Sequence, residues 1–166
     1  MSGLASALRT QIDYSNWASK RLVSAASELS PDELAHDFKS ADHSVLGTLV
    51  HIYAADRLWF GRIEQASPSV FVTDSDYSLA VIQNDWPPLH ERWQRWASAL
   101  DDEAALAPFP HTDLRGRPWV LPMWQAVMHV VNHATHHRGQ AAGFIRAMGK
   151  TPPVLDLMAY YRGLNS

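Results

Sequence analysis

The sequence predicts an all-α fold: a four-helix bundle with a short loop or hairpin between its third and fourth helices and a short C-terminal helix. Three observations carry this. Four long segments keep their apolar residues at the helical period, Ser30-Pro31 and Gly149 with Thr151-Pro152-Pro153 end the first and the last of them, and the longest irregular stretch, APFPHTDLRGRPWVLP, separates the third from the fourth. A chain of 166 residues also has the length of one domain, so residues 1–166 are read as a single unit with one core.

The first helix runs from about Leu4 to Leu29, with Leu4, Leu8, Ile12, Leu22 and Ala26 in one stripe and Ser30-Pro31 ending it. Trp17 falls on the other side, where it meets either another helix or a second subunit. The polar stretch PDELAHDFKSADHS then leads to a second helix from about Ser44 to Gln65, apolar over most of its circumference, as a helix with several neighbours should be. A third helix carries Ile82, Trp86, Leu89, Trp93, Trp96 and Leu100 at spacings of four and three. Its Pro87-Pro88 pair either follows an N-cap at Asp85 or bends the helix; the unbroken phase favours a bend.

APFPHTDLRGRPWVLP has no helical period and reads as a loop or small hairpin turning at Arg115-Gly116. The fourth helix, about Met123 to Met148, shows the stripe Ala126, Val130, His133, His137, Ala141, Phe144 and Met148. Gly149 stops it and Thr151-Pro152-Pro153 prevents its continuation. A short helix from Val154 to Tyr161 completes the chain.

Composition excludes several function classes. Fourteen basic and 17 acidic residues give a net charge of −3 with no Lys/Arg cluster for a phosphate backbone, so no nucleic-acid partner is expected. No segment has the length and apolarity of a membrane span, no signal-peptide pattern opens the chain, and a soluble cytoplasmic protein is expected. Cysteine is absent, which removes disulfides, thiolate ligands and a cysteine nucleophile. Any metal must therefore rest on His, Asp or Glu.

Four of the nine histidines lie between His129 and His137. At ~100° per residue His133 and His137 share one face, His137 falls near the centre of the apolar stripe, His129 sits on its flank and His136 on the rim. A HxxxH pair can bind one cation or form a buried hydrogen-bonded pair. Two core-facing imidazoles each need a polar partner that an apolar stripe does not offer, and a shared metal satisfies both. His51, mid-helix beside Ala54, Ala55 and Leu58, is the natural third ligand, with His43 and His129 in reserve. Three neutral ligands leave positions open on the ion, the arrangement of catalytic metals. Residue 134 is alanine, so the HExxH zinc-protease pattern is absent. Gln140 projects from the face of the pair and is expected in the pocket or against a ligand; Arg138 points away from that face, towards surface, helix-to-helix or subunit contacts.

LVHIYAADRLWF, then HVVNHATHHRGQ, then MGKTPPVLDLMAYYR, taken in order over nearly the whole chain, resemble the DinB/YfiT-like family of metalloenzymes. The resemblance implies a four-helix bundle, commonly a homodimer, holding one divalent metal, often zinc or nickel, through three histidines. Carried over by position these are His51, His133 and His137, while the acid and aromatic after the first histidine correspond to Asp56 and Trp59, the latter a tentative pocket residue with Gln140. It further implies a metal-dependent transferase or isomerase that uses a low-molecular-weight thiol on a small-molecule electrophile. A metal-dependent hydrolase, and a non-catalytic metal-binding stress or interaction protein, are the competing expectations.

Overall fold

Two serines decide where helices begin in the first third of the chain. Ser30 accepts a hydrogen bond from the Glu33 amide while the Glu33 carboxylate accepts one from the Ser30 amide, a capping box with Pro31 at the first helical position. Ser44 accepts from the Gly47 amide and starts the next long helix. The structure, a computed structural model, describes residues 3–66 and 70–164. Seven α-helices and one two-stranded sheet follow in chain order: α1 (Leu4–Ser27), α2 (Pro31–Ala35), α3 (Val45–Ile63), α4 (Leu79–Ala99), α5 (Asp102–Leu106), β1 (Pro108–Thr112), β2 (Pro118–Pro122), α6 (Met123–Ala147) and α7 (Leu157–Leu164).

The four long helices α1, α3, α4 and α6 share one core. Helices α6 and α4 each pack against both α1 and α3, and Leu8, Leu22, Leu49, Ile52, Ile82, Trp86, Trp93 and Ile145 fill the space between. Pro87 and Pro88 lie inside α4, which begins at Leu79, so the alternative start at Asp85 is excluded. The apolar phase persists through them: Ile82, Trp86, Leu89, Trp93 and Ala97 are all buried. Trp17 meets the C-terminal segment, its ring 5.5 Å from that of Tyr160 on α7.

Between α5 and α6, β1 and β2 pair antiparallel with His111 opposite Trp119, making the expected hairpin. Its turn is held by Asp113, whose carboxylate accepts from the Arg115 and Arg117 amides, and by Gly116 at φ +76, a backbone angle that favours glycine. The short helices α2 and α5 were not foreseen in the polar stretches that contain them; the Ser30-Pro31-Asp32-Glu33 cap was the legible signal for the first. Among the described residues no helix is long and apolar enough to cross a membrane.

The buried face of α6 corrects the sequence reading. Ala126, Val127, Val130, Val131, Ala134, Arg138, Ala141 and Ile145 are buried, an arc rotated by roughly 60° from the predicted stripe. His133 and His137 therefore sit at one edge of it and Arg138 inside it, towards the other. Arg138 is 1 % exposed. Its guanidinium donates from Nη1 to the Ser15 carbonyl, Ser15 Oγ and Ser19 Oγ at 3.0–3.2 Å and from Nη2 to Thr135 Oγ1 at 3.0 Å. The expected helix-to-helix contact is real, but it lies inside the core rather than away from it.

A second buried polar group lies across the core. Asp56 points inward from α3 and accepts a 2.9 Å hydrogen bond from Trp86 Nε1. Burial pushes its carboxyl up to about 6, against the Trp86 hydrogen bond and the Arg138 charge, which both favour the carboxylate. Buried His90, its Nε2 3.9 Å from the same carboxyl, is pulled down to about 3 by burial first and by Lys20 and Arg138 next, and is neutral.

Between pH 3.8 and about 6 the folded protein keeps an Asp56 proton that the unfolded chain has released, so this group weakens the fold as pH rises through that window. Asp56→Asn retains an acceptor for Trp86 and should raise the urea-unfolding stability at pH 7 by up to about 3 kcal/mol at 1.36 kcal/mol per pKa unit. The gain should fade towards pH 3.5, and an equal gain at both pH values would show that the buried charge is not its source. Arg138→Ala removes the clamp and strands the Ser15 and Ser19 hydroxyls, and should cost about 3–4 kcal/mol in the same measurement.

Candidate metal centre

Helices α3 and α6 face each other with His51 on one and His133 and His137 on the other. The three rings converge: centroids are 4.9 Å apart for His51 and His133, 4.3 Å for His51 and His137, and 4.5 Å for His133 and His137. One ring nitrogen from each lies within 4.8 Å of the other two. His51 Nε2 and His133 Nε2 are 3.0 Å apart. Tetrahedral ligands at ~2.05 Å from zinc stand roughly 3.3 Å from one another, so small ring rotations would bring all three nitrogens onto one ion.

The electrostatics favour the neutral, metal-binding form of His51 and His133. Burial is the first cause that pulls His133 down to about 3, and the neighbouring His137, His51, His129 and His136 add to it. Burial also lowers His51, with Asp42 opposing and His137 assisting. His133 Nδ1 is buried without a hydrogen-bond partner among the described residues.

Asp42 is the functional residue that sequence reasoning missed. Its Oδ2 lies 3.1 Å from His137 Nδ1, an ion-pair distance without hydrogen-bond geometry, and its Oδ1 lies 3.6 Å from His51 Nδ1. Aligned by a modest rotation, a carboxylate behind two ring nitrogens fixes which nitrogen faces an ion and raises its basicity. The loop before α3 delivers Asp42 by folding tightly over Gly47: a Cβ on Gly47 would stand 2.1 Å from the Asp42 carbonyl oxygen. Only a glycine at that position of the first turn allows the approach. The sequence signal was the glycine three residues beyond the Ser44 cap, which has no helical reason to be there.

A cavity of about 480 Å³ opens beside the cluster. His51 and His133 line its floor, Ala55, Leu58, Trp59 and Phe71 its apolar side, and the hairpin turn from Asp113 to Arg117 its rim. Trp59 is among the residues that line this cavity. Gln140 is half-buried, with Oε1 hidden and unpaired among the described residues, and does not line this cavity. Of the reserve residues, His43 is turned outwards by a left-handed backbone at φ +59 and approaches Asp37, while His129 lies outside the three-nitrogen group but on the cavity wall, 5.0 Å from the Trp59 ring. His136 is exposed. Asp56, about 140° round α3 from His51, belongs to the core instead of the cluster.

The profile of the DinB family matches residues 4–163. Among solved structures, a crystal structure of a DinB-like protein from Bacillus cereus superposes with a TM-score of 0.61 at 19 % identity, covering 83 % of this chain and 90 % of that one. The likeness extends to the fold. Among curated proteins none matches the chain.

Asp42→Asn removes the charge behind two rings but keeps the shape, and Gly47→Ala displaces the loop that carries it. Each is expected to weaken zinc binding about 10- to 100-fold in a competition titration with a chromogenic chelator. Unchanged affinity in both variants would show that Asp42 does not act on the cluster.

Proposed function

The chain belongs to the DinB family, and from that membership we propose a metal-dependent enzyme in which His51, His133 and His137 hold one divalent ion, zinc or nickel, at the floor of the cavity. The observation that carries this reading is the convergence of three imidazoles from two long helices, two of them lining a cavity large enough for a small molecule. When bound, such an ion lowers the pKa of a thiol or water that joins it and so supplies a nucleophile near neutral pH.

The chain's own residues favour a thiol-dependent S-transferase or isomerase. No cysteine is present to serve as nucleophile, so the sulfur would come from a low-molecular-weight thiol. That sulfur bonds to the electrophilic carbon as the leaving group departs with its electron pair, and the thiol proton passes to solvent. Asp42 orients His51 and His137, and Leu58, Trp59 and Phe71 present an apolar wall that restricts water around the reacting groups.

Elemental analysis of protein purified without a histidine tag should find close to one zinc or nickel per chain, and a metal-free result at near-neutral pH counts against the proposal. His137→Ala should lose metal affinity at least about a hundredfold, together with turnover of an electrophile and thiol. The metal-free fold should shift by only about 1 kcal/mol, because the core of the long helices does not depend on an ion. His136→Ala should keep both metal and turnover. Turnover with water alone would make the enzyme a hydrolase, and a metal whose removal unfolds the protein without any turnover would make it structural.

A further inference from the structure

The cavity beside the histidines has a charged end that the metal reading leaves unused. Arg62 occupies the same face of α3 as His51, eleven residues further on, with Ala55 and Leu58 between them. Its guanidinium lies 4.4 Å from the centre of the Trp59 ring and makes neither an ion pair nor a hydrogen bond among the described residues. An arginine in the last turn of a helix often serves the exposed carbonyls there, but none of those accepts from Arg62.

Burial pulls the guanidinium below its usual value, with the attraction of Asp113 opposing weakly. Asp113 is otherwise engaged, since it takes the Arg117 side chain and two amides of the hairpin turn. Arg115 on the same rim makes no side-chain ion pair among the described residues. Three cations and one anion thus border the cavity in addition to its neutral histidines. A half-buried, stacked and unpaired guanidinium is costly to desolvate, and a planar oxyanion that meets its fork bidentately offsets that cost.

We propose that Arg62, stacked on Trp59, is the anchor of a carboxylate-binding subsite, so that the small molecule handled at the histidines is an elongated organic carboxylate. This rests on the reading of the histidine floor as the reacting end. Eleven residues of helix rise about 16 Å, and the arginine side chain reaches back towards the N-terminus, which sets the carboxylate roughly 10 Å from the imidazoles. Ala55, Leu58 and Phe71 line the span between, which suits a hydrocarbon linker. Arg115 on the hairpin rim adds a second cation and strengthens the attraction without providing the anchor.

Calorimetric titration of octanoate and of 1-octanol into metal-free protein tests the subsite independently of the ion. Octanoate should bind at least about tenfold more tightly than octanol, and Arg62→Met, which keeps the apolar stem over Trp59, should abolish that preference. Arg62→Lys should retain part of it, because the charge persists without the fork. Octanoate and octanol binding equally well, or octanoate binding equally to the wild type and the Arg62→Met protein with intact circular dichroism, would overturn the proposal. So would a loss confined to Arg115→Gln. With zinc-loaded protein, 8-mercaptooctanoate should bind at least about tenfold more tightly than octanoate and 3-mercaptopropionate should not, since only the longer chain spans both ends. Octanoate binding through Arg62 with no added gain from the thiol would leave the carboxylate subsite standing and remove the metal reading.

Discussion

Helix α6 must satisfy two neighbours at once, and the site depends on how it does so. One flank meets α1, where the Arg138 guanidinium sits among Ser15, Ser19 and Thr135; the other meets α3, where His133 and His137 face His51. Between them runs a strip of small and medium apolar side chains, Val127, Val130, Ala134, Ala141 and Ile145, which sets the rotation of the helix. Small residues there permit close approach, and the polar groups on the flanks fix the angle at which it happens. A rotation that freed Arg138 would bury it without partners, a cost of several kcal/mol, and would carry the two histidines off His51.

The second constraint is local. The loop from His36 to Ser44 turns back over the first turn of α3, and it does so through a contact that a side chain at residue 47 would block. Lys39 and His43 adopt left-handed backbone angles in this loop, at φ 57 and 59, and the Phe38 amide closes it by donating to the His43 carbonyl at 2.7 Å. The result is a carboxylate aimed at two imidazoles from behind. A loop that stores backbone strain while pointing one charged group at a cluster is the pattern of a functional segment.

Burial acts differently on the two polar groups of the interior. At the histidine cluster it favours the neutral form of His51 and His133, which suits a ligand to a cation, and both line the cavity. At Asp56 it opposes ionisation of a carboxyl whose partner is a tryptophan N–H, so that group weakens the fold at neutral pH while it orients Trp86 between α3 and α4. Helix α3 therefore carries a site on one side and a buried acid on the other, and its nearly complete apolar circumference separates them.

The sequence by itself determined the four long helices, an irregular stretch between the third and fourth of them, and the sharing of one face of α6 by His133 and His137, because spacing along one helix is a local property that the 3.6-residue period makes readable. Trp59 came forward only through the family resemblance, since eight residues of helix set it about 80° round α3 from His51. Only the tertiary structure decided the rotation of α6, which brought Arg138 inward against the expectation for a charged residue, and the company of Asp42 and Arg62. Asp42 reaches His137 from 95 positions earlier in the chain, and Arg62 joins a wall completed by a hairpin turn some fifty residues later. Such neighbours are set by loop closure and by how helices roll against one another, and neither leaves a periodic trace in the residues concerned.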